Sequence, residues 1–312
     1  MLSNLDWKES QWKELESLFN GYEVSHDADD REKLADTEVI IHWNKKMSQY
    51  WQEGLLPNLK WVQAISAGIN SMPLEGFEQK GIILTNASGL HQSTISEFVI
   101  GALLFHMRGF QASQANQQQK VWEQSLDIRE LKGKTMMIFG IGNIGRRLAR
   151  IAAAFGMQTI GVNRSGREVE EVNRTVTQDE CDQVLGEADI VVNILPETEE
   201  TRNFFDEKRF SKMKHGTLFV NVGRGTSVET VALIKALDEE ILAFAALDVF
   251  ENEPLETDSP LWEHPKVFIS PHVSGTLEHF RDELFEIVKP NVSAYVSEGS
   301  PVKNIIDYKT SY

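Results

Sequence analysis

The sequence predicts an α/β protein that combines a doubly wound parallel (Rossmann) sheet domain with a smaller, discontinuous, flavodoxin-like α/β domain. Two observations lead to this fold class. After residue 134, short β-rich runs alternate with helical stretches, and a G-x-G-x-x-G loop follows the first run. A weaker alternation of the same kind fills the first 90 residues. Parallel strands joined by right-handed crossover helices leave few other ways to close such a chain.

The larger domain is predicted from six mainly apolar runs, because parallel strands buried on both faces have this composition. The runs are TMMIF, MQTIGV, DIVVNIL, TLFVNV, ILAFAALDV and VFIS. Thr177 with Glu180, and Thr226 with Glu229, have the capping-box spacing, in which each side chain bonds the other residue's backbone N–H. We therefore expect a helix to begin at each of these two pairs.

The smaller domain is predicted from the runs TEVIIHW, LKWVQAIS and GIILTN, whereas an opening strand is barely visible in MLSNLD. Two long helical segments, 93–110 and 276–299, flank the central sheet. Since the C-terminal helix and the tail after it can return to the first lobe, that lobe is expected to be discontinuous. The predicted domains are 1–90 completed by 285–312, and 91–284.

Composition excludes several classes of function. The formal net charge of -16 repels phosphate, so neither nucleic acid nor an anionic membrane surface is an expected partner. The single cysteine, Cys181, cannot form an intrachain disulfide, and the start MLSNLDWKES lacks the regions of a signal peptide. No apolar run approaches the ~20 residues of a membrane span. A cytoplasmic location is expected, and no metal site is predicted.

A glycine-rich loop in FGIGNIGRR predicts a dinucleotide site. Gly140, Gly142 and Gly145 have G-x-G-x-x-G spacing, directly after a strand and at the start of a helix. Glycines let the backbone approach a pyrophosphate, and the helix N-terminus offers free N–H groups. Asn143 and Ile144, inside the loop, are counted with the cofactor-binding residues. The alternative is a tight strand-to-helix turn without a ligand.

Three polar segments, each just past a predicted strand, carry candidate catalytic residues. They are NVGRG with Arg224, LDVFENEP with Asp248 and Glu253, and SPHVSG with His272. Ligands of such sheets bind beyond the carboxyl ends of the strands. Arginine suits a carboxylate, histidine titrates near neutral pH, and glutamate can bond an imidazole. Taken singly, Arg224 could form a surface ion pair, Glu253 could start a helix, and His272 could be a core histidine.

With these motifs the sequence resembles the D-isomer-specific 2-hydroxyacid dehydrogenases, in particular members similar to glyoxylate/hydroxypyruvate reductases. FGIGNIG, NILPETEET, NVGRG, ALDVFENEPL, SPLWEHPKV and SPHVSG occur in the family's order, and the resemblance runs from about residue 55 to 290. It implies that Arg224, Glu253 and His272 are catalytic. It also implies that the backbone of Ala67 and Gly68, together with Arg224 and His272, binds the substrate.

The implied reaction transfers a hydride between a nicotinamide cofactor and a small 2-oxo or D-2-hydroxy acid. His272 would be the general acid, Glu253 would keep it protonated and oriented, and Arg224 would bind the carboxylate and polarise the carbonyl. For Thr198, a role as a helix cap and a role in contacting the cofactor are equally good interpretations. The remaining cofactor-binding residues implied are Leu195, Pro196, Thr198, Val222, Asp248 and Ser274.

The stretch IGVNRSGR bears on the choice of cofactor. An acidic residue that binds the ribose hydroxyls is expected about 20 residues beyond the glycine loop. Eighteen positions after Gly145 stands Asn163 instead, followed by Arg164 and Ser165, which can bind a 2′-phosphate. NADP(H) is therefore the predicted cofactor, with NAD(H) possible. The alternative is a solvated basic turn.

Residues 98–122 join an apolar helix to a polar segment ending at Trp122, and the resembled family pairs through this region. A homodimer is therefore expected, although the polar run could also be a solvated helix end. Rival interpretations are an NAD(H)-sensing binding protein on the same scaffold and a short phosphoglycerate-type dehydrogenase. The oxo acid is left open, because Trp43, Tyr50 and Trp51 could line a pocket or belong to the core.

Overall fold

The computed structural model describes residues 1–26, 30–69 and 71–308, which divide into two compact units. The smaller unit comprises Met1–Leu90 and the chain from Leu277 onward. The larger unit is the continuous segment His91–Thr276. The smaller unit is thus built from two segments that are distant in sequence.

The smaller unit contains a parallel sheet in the order β1-β2-β3-β4. An isolated parallel bridge joins Leu2 of the first strand to Ser25, and an antiparallel bridge joins Thr85 of the last strand to Ile305. Once the segment at Ser25 is counted, the chain order across the sheet is 2-1-3-4-5, the flavodoxin-like order. The strands are β1 (Leu2–Ser3), β2 (Val39–Ile41), β3 (Trp61–Gln63) and β4 (Ile83–Thr85).

Helices cover this sheet, and aromatic side chains fill part of its core. Trp43 and Tyr50 are 7% and 6% exposed, and the Trp43 ring lies 5.0 Å from that of Phe77, edge to face. For these aromatic residues the structure therefore supports the core interpretation. The helices are α1 (Glu9–Leu18), α2 (Arg31–Ala35), α3 (Lys45–Gln52), α4 (Leu74–Lys80) and a long C-terminal helix, Phe280–Glu298.

One buried amide ties the C-terminal helix to the sheet. Asn291 is fully buried, and its Nδ2 donates to Gln63 Oε1 at 3.0 Å. Its Oδ1 accepts from the backbone N–H groups of Val302 and Lys303 at 3.1 and 2.7 Å. Since buried polar groups must be hydrogen-bonded, this amide fixes both the helix and the tail on the N-terminal segment.

The larger unit contains a seven-stranded parallel sheet in the order β11-β10-β9-β8-β5-β6-β7. In chain order the strands run 3-2-1-4-5-6-7 across the sheet, which is the doubly wound Rossmann arrangement. All six predicted strands are present, and the fold class is confirmed. The strands are β5 (Thr135–Phe139), β6 (Gln158–Asn163), β7 (Arg174–Thr177), β8 (Ile190–Asn193), β9 (Thr217–Asn221), β10 (Leu242–Leu247) and β11 (Val267–Ile269).

The helices of this unit differ widely in burial. The predicted helix 93–110 is interrupted at Gly109, whose φ of +66° ends one helix and starts the next. The second of these helices has no buried residue. Among the described residues, no helix is both long enough and apolar enough to cross a membrane. The helices are α5 (Gln92–Met107), α6 (Phe110–Gln119), α7 (Asn143–Ala154), α8 (Cys181–Val184), α9 (Glu207–Phe210) and α10 (Thr230–Asp238).

Of the two predicted capping boxes, one has its reciprocal bonds, in the turn before a helix whose N-cap is Glu180. Glu180 N donates to Thr177 Oγ1 at 3.2 Å and Thr177 N donates to Glu180 Oε2 at 3.3 Å, directly before α8. The prediction for Thr226 is wrong, because it lies within a 3-10 turn, Gly225–Ser227, and its hydroxyl donates to Glu197 at 3.1 Å. The first N–H of α10, on Thr230, instead bonds the Glu251 carboxylate at 3.2 Å.

Candidate active site

The loop after β5 turns so tightly that only glycine fits at two positions. Gly140 has φ +101°, and a Cβ there would lie 2.9 Å from the carbonyl oxygen of Ile194. A Cβ on Gly145 would lie 2.3 Å from the carbonyl oxygen of Gly140. The first glycine therefore permits the turn, and the third permits close packing of α7 on the strand.

The middle glycine of this loop faces open space. A Cβ on Gly142 would meet no atom within 4 Å, and no side chain caps the N-terminus of α7 there. Asn143 and Ile144 are the first two residues of this helix, the former exposed and the latter half-buried. An uncapped helix N-terminus behind an open glycine fits a pyrophosphate, so these residues fit a dinucleotide cofactor.

Arg224 lies in the loop after β9, half-buried, and its Nη1 donates to the carbonyl oxygen of Gly223 at 2.8 Å. In residues 1–26, 30–69 and 71–308, no carboxylate oxygen lies within 4.0 Å of its guanidinium nitrogens. The alternative of a surface ion pair therefore does not hold for the described residues. A Cβ on Gly225 would lie 1.9 Å from the carbonyl carbon of Phe250, so this loop packs on the segment that carries Glu253.

His272 and Glu253 form a direct pair. His272 Nδ1 lies 2.7 Å from Glu253 Oε2, and the other carboxylate oxygen accepts from Phe250 N at 3.1 Å. The imidazole is 52% exposed, which contradicts the alternative of a core histidine. Glu253 therefore accepts at Nδ1 and fixes the orientation of the ring, with Nε2 as the nitrogen outside this pair.

A buried carboxylate holds the loop that carries His272. Asp248 is fully buried; its Oδ1 accepts from Ser270 Oγ at 2.5 Å and Val273 N at 2.9 Å, and its Oδ2 accepts from Ser274 N at 3.1 Å. The loop needs such bonds because His272 has φ +56°, in the left-handed region. Asp248 thus positions His272, while its cofactor contact, and that of Ser274, stay predictions.

The turn after β6 contains no carboxylate between Asn163 and Arg167. Asn163 Nδ2 donates to the carbonyl oxygen of Arg167 at 2.9 Å, and Arg167 N donates to Ser165 Oγ at 3.3 Å. Gly166, with φ +66°, completes this turn. Both Arg164 and Ser165 are exposed. The amide of Asn163 therefore closes the turn, and the basic and hydroxyl side chains face solvent.

The positive charge of Arg164 in this turn acts on Glu200, in the neighbouring loop after β8. The pKa of Glu200 is lowered by a hydrogen bond from its own backbone N–H, by one from Thr198, and in addition by the charge of Arg164. The two loops flank the glycine loop, because β6 and β8 are the two neighbours of β5 in the sheet. The exposed arginine therefore stands close to the crevice where the strand order reverses.

Comparison with known proteins assigns the family. Residues 100–274, more than half of the 312-residue chain, match the family model of the D-isomer specific 2-hydroxyacid dehydrogenase, NAD binding domain. The chain belongs to this family. The resemblance found in the sequence is confirmed, and the protein is an NAD(P)-dependent oxidoreductase of the D-2-hydroxyacid dehydrogenase class.

Three relatives show how similar this dehydrogenase is to known members. A glyoxylate reductase of Thermofilum pendens is 32% identical over 251 residues, covering 78% of this chain and 74% of that protein. An NADPH-dependent glyoxylate/hydroxypyruvate reductase from Sinorhizobium meliloti, solved with NADP and sulfate, has a TM-score of 0.81 at 28% identity, covering 100% and 99%. A phosphoglycerate dehydrogenase from Lactobacillus plantarum is 35% identical, with a TM-score of 0.60, covering 98% and 99%.

Other predicted cofactor residues of the dehydrogenase lie in the loops after β8 and β9. Leu195 and Val222 are 4% and 6% exposed, and Pro196 is half-buried. Thr198 caps a short 3-10 helix, Glu199–Thr201: Thr198 N donates to Thr201 Oγ1 at 2.8 Å, and Thr201 N donates to Thr198 Oγ1 at 3.3 Å. The structure thus shows Thr198 as a helix cap, and its contact with the cofactor stays a prediction.

Ala67 and Gly68 lie in the smaller unit, on the loop after β3. Asn86 Nδ2 donates to the carbonyl oxygen of Ala67 at 2.9 Å, and Ser66 Oγ donates to that of Gly68 at 2.7 Å. Ala67 is exposed and Gly68 is half-buried. These bonds occupy the carbonyl oxygens of the loop, and binding of a substrate carboxylate by its N–H groups stays a prediction.

Three buried polar residues beside Arg224 are not among those predicted from the sequence. Asn193 and Asn221 stand at paired register positions at the ends of β8 and β9, and Ser227 lies in the turn that follows. Their exposures are 0%, 1% and 1%. The available signal was a single amide at the end of each apolar run, in VVNIL and LFVNVG, since an isolated polar residue there must find a partner.

Proposed function

We propose that this dehydrogenase reduces a small 2-oxo acid of the glyoxylate or hydroxypyruvate type to the corresponding 2-hydroxy acid, of D configuration where C2 is a stereocentre, with NADPH. The observation that carries the proposal is the pair of His272 and Glu253, 2.7 Å apart, which lies beyond the carboxyl ends of the strands, as Arg224 does. Among the described residues, Arg224 has no carboxylate partner. An acid and an anion-binding guanidinium are what protonation of a bound 2-oxo acid requires.

Each residue of the proposed site has one task. The nicotinamide, when bound, supplies the hydride. Arg224 binds the substrate carboxylate with its planar fork, and its charge polarises the adjacent carbonyl. His272 Nε2 donates the proton to the carbonyl oxygen, and Glu253 orients the ring and balances the charge of the imidazolium. Asp248 acts through the His272 loop.

The preference for NADPH rests on the turn after β6. A carboxylate at position 163 would repel a 2′-phosphate, and Asn163 removes this repulsion. The exposed guanidinium of Arg164 and the hydroxyl of Ser165 can bind the phosphate, and Arg167 adds a second positive charge. The relative from Sinorhizobium meliloti that was solved with NADP is consistent with this choice.

A panel of 2-oxo acids assayed with both cofactors tests the proposal. Glyoxylate and hydroxypyruvate should give the highest kcat/KM, and NADPH should be used more efficiently than NADH with each acid. Equal or better efficiency with NADH would contradict the cofactor assignment. The absence of turnover with every 2-oxo acid would contradict the substrate class, while leaving the cofactor assignment to be tested by binding.

A phosphoglycerate-type activity is the second candidate, because the phosphoglycerate dehydrogenase from Lactobacillus plantarum is 35% identical to this chain. Phosphohydroxypyruvate belongs in the same panel, with hydroxypyruvate as its matched control. A kcat/KM at least tenfold higher for the phosphorylated acid would favour this candidate. The two acids differ only in the phosphate, so the ratio reports on that group alone.

The smaller unit is proposed to bind the substrate carboxylate through the backbone N–H groups of Ala67 and Gly68. A backbone contact is insensitive to side-chain identity, so Ala67→Ser should leave KM nearly unchanged. Ala67→Pro removes one donor and should raise KM for the 2-oxo acid about tenfold. An equal KM in both variants would contradict the role.

We further propose a homodimer formed through α6 and the segment after it. This helix has no buried residue, and the large apolar side chains of Phe110 and Trp122 are 52% and 90% exposed. Exposed apolar side chains, one at the start of α6 and one in the segment after it, are typical of a protein interface. Light scattering at micromolar concentration should give twice the chain mass, and Trp122→Glu should lower it. Trp262→Glu is the matched control, since Trp262 is 51% exposed elsewhere.

A further inference from the structure

A buried hydrogen-bonded network joins the ends of β8 and β9. Asn193 Nδ2 donates to Asn221 Oδ1 at 2.9 Å and to Ser227 Oγ at 2.6 Å. Both donor hydrogens of this amide are thus used inside the protein, where the three side chains are at most 1% exposed. In such a low-dielectric place each bond is strong and each missing bond is costly.

The network holds the backbone of the Arg224 loop at two points. The carbonyl oxygen of Arg224 accepts from Ser227 Oγ at 2.6 Å and from Asn221 Nδ2 at 3.2 Å. The preceding residue, Gly223, donates its N–H to Asn221 Oδ1 at 3.2 Å. The guanidinium itself bonds the carbonyl oxygen of Gly223. The direction of the Arg224 side chain is therefore set by its own loop, and that loop is set by the network.

The same network reaches the loop after β8. Asn193 Oδ1 accepts from Leu195 N at 3.1 Å. The two loops also touch directly, because a Cβ on Gly223 would lie 2.7 Å from the carbonyl oxygen of Leu195. One side-chain amide thus fixes both the loop predicted to face the nicotinamide and the loop that carries Arg224.

We infer that Ser227, with Asn193 and Asn221, is a positioning residue for Arg224 in the dehydrogenase reaction. The inference rests on the proposed function of Arg224 as the carboxylate anchor. The Ser227 hydroxyl is the strongest point of the network, since it accepts from Asn193 and donates to Arg224 at 2.6 Å each. This role does not require any of the three side chains to contact the substrate, because they act through the position of the Arg224 guanidinium.

Removal of the hydroxyl in Ser227→Ala tests this role. It leaves one Asn193 donor hydrogen without its partner and removes the shortest bond to the Arg224 carbonyl oxygen, which keeps only Asn221 Nδ2 at 3.2 Å and Ser227 N at 3.3 Å. The loop is therefore expected to shift. We expect kcat/KM for the 2-oxo acid to fall about ten- to hundredfold, the worth of a lost buried hydrogen bond. The Kd for NADPH, measured by fluorescence without substrate, should stay within about twofold.

Thr217→Val is the matched control. Thr217 is fully buried at the opposite end of the same strand, β9, and its hydroxyl donates to the carbonyl oxygens of Lys214 and Ala188 at 2.8 and 3.2 Å. Both variants lose a buried hydroxyl, so both should lower the Tm. Only Ser227→Ala should change KM and kcat. A similar kinetic loss in Thr217→Val would mean that general destabilisation explains the effect, and would overturn the inference.

A double-mutant cycle shows whether Ser227 acts through Arg224. In an Arg224→Ala background, Ser227→Ala should cause less than about a twofold further loss of kcat/KM, because residues that act as a unit are not additive. A further loss as large as in the wild-type background would overturn the inference. If Arg224→Ala alone leaves the kinetics unchanged, the proposed function of Arg224 fails. This outcome differs from a failure of the inference about Ser227, in which Arg224→Ala lowers kcat/KM and the two losses add.

If Ser227→Ala does not fold, Ser227→Thr and Ser227→Val replace it. The two side chains have the same shape, and only threonine keeps the hydroxyl. The inference expects kcat/KM to be at least tenfold higher in the threonine variant, with circular dichroism confirming the fold of both. Equal kcat/KM in the two variants would overturn it.

Discussion

The substitution His272→Gln tests the proposed acid most directly. Glutamine is uncharged and cannot donate a proton to the carbonyl oxygen, although its amide can still bond Glu253. A positioned general acid contributes on the order of 10²- to 10⁴-fold to the rate. Because the imidazole is 52% exposed and the carboxylate 35% exposed, water can partly replace the acid. We therefore expect the lower end, a fall in kcat of about a hundredfold, or about 2.7 kcal/mol of transition-state stabilisation.

The assay follows NADPH consumption at saturating 2-oxo acid, and NADPH binding is measured separately by fluorescence. Cofactor binding should survive. The His272 ring bonds Glu253, and the backbone N–H of His272, which the substitution keeps, donates to the carbonyl oxygen of Asp248. The free energy of unfolding should fall by no more than about 1 kcal/mol, because the pair that is lost is partly exposed and a hydrogen bond to Glu253 can persist. Glu253→Gln is the companion variant, which keeps an acceptor for Nδ1 but removes the charge. It should lose less, about tenfold.

Two results would refute the reasoning about His272. Equal losses of NADPH binding and of kcat in His272→Gln would make the histidine a structural residue of its loop. A kcat close to that of the wild type would remove it from the reaction altogether. Either outcome would leave the family assignment untouched, since that rests on the match over residues 100–274.

Three further predictions follow from other parts of the chain. Arg224→Lys keeps the charge but loses the bidentate fork, so KM for the 2-oxo acid should rise about tenfold and kcat should fall; near-wild-type kinetics would remove Arg224 from the site. Arg164→Ala should raise KM for NADPH about tenfold while leaving KM for NADH within twofold, since only NADPH carries the extra phosphate; equal effects on the two cofactors would refute the phosphate contact. Burial raises the pKa of Cys181 from 9.0 to about 11. The unfolded thiol thus ionises first, and the free energy of unfolding should fall as the pH rises from 9 to 11, less steeply in Cys181→Ala; equal slopes in denaturant titrations would contradict this.

The predictable part of the fold is the part with a strong local pattern. The six predicted strands of the larger unit have continuous apolar runs, so composition alone identifies them. The edge strand β7, Arg174–Thr177, was missed because only Val176 among its four residues is buried. The strand β1 has two residues, and its place in the sheet depends on pairing with Ile40 and Ile41. Such pairing between distant residues has no local signature.

The site divides in the same way. The three glycines and the polar residues after the strands could be named as candidates because their spacing is local. The predicted helix start at Thr226 was wrong because an equally local alternative, a 3-10 turn, uses its hydroxyl elsewhere. The network around Asn193 was missed for a different reason. Its side-chain partners come from the next strand and from the turn after that strand, and only the parallel register sets Asn193 opposite Asn221.

The division of the smaller unit into two segments has a consequence for biosynthesis. The segment Met1–Leu90 leaves the ribosome first, but the buried amide that bonds Gln63 belongs to Asn291, which is made only after the whole of His91–Thr276. At about 5–20 residues per second, synthesis of the intervening unit takes on the order of 10–40 s. During this time the continuous larger unit can fold on its own core. The N-terminal segment cannot complete the contacts of its sheet until the helix Phe280–Glu298 has been synthesised.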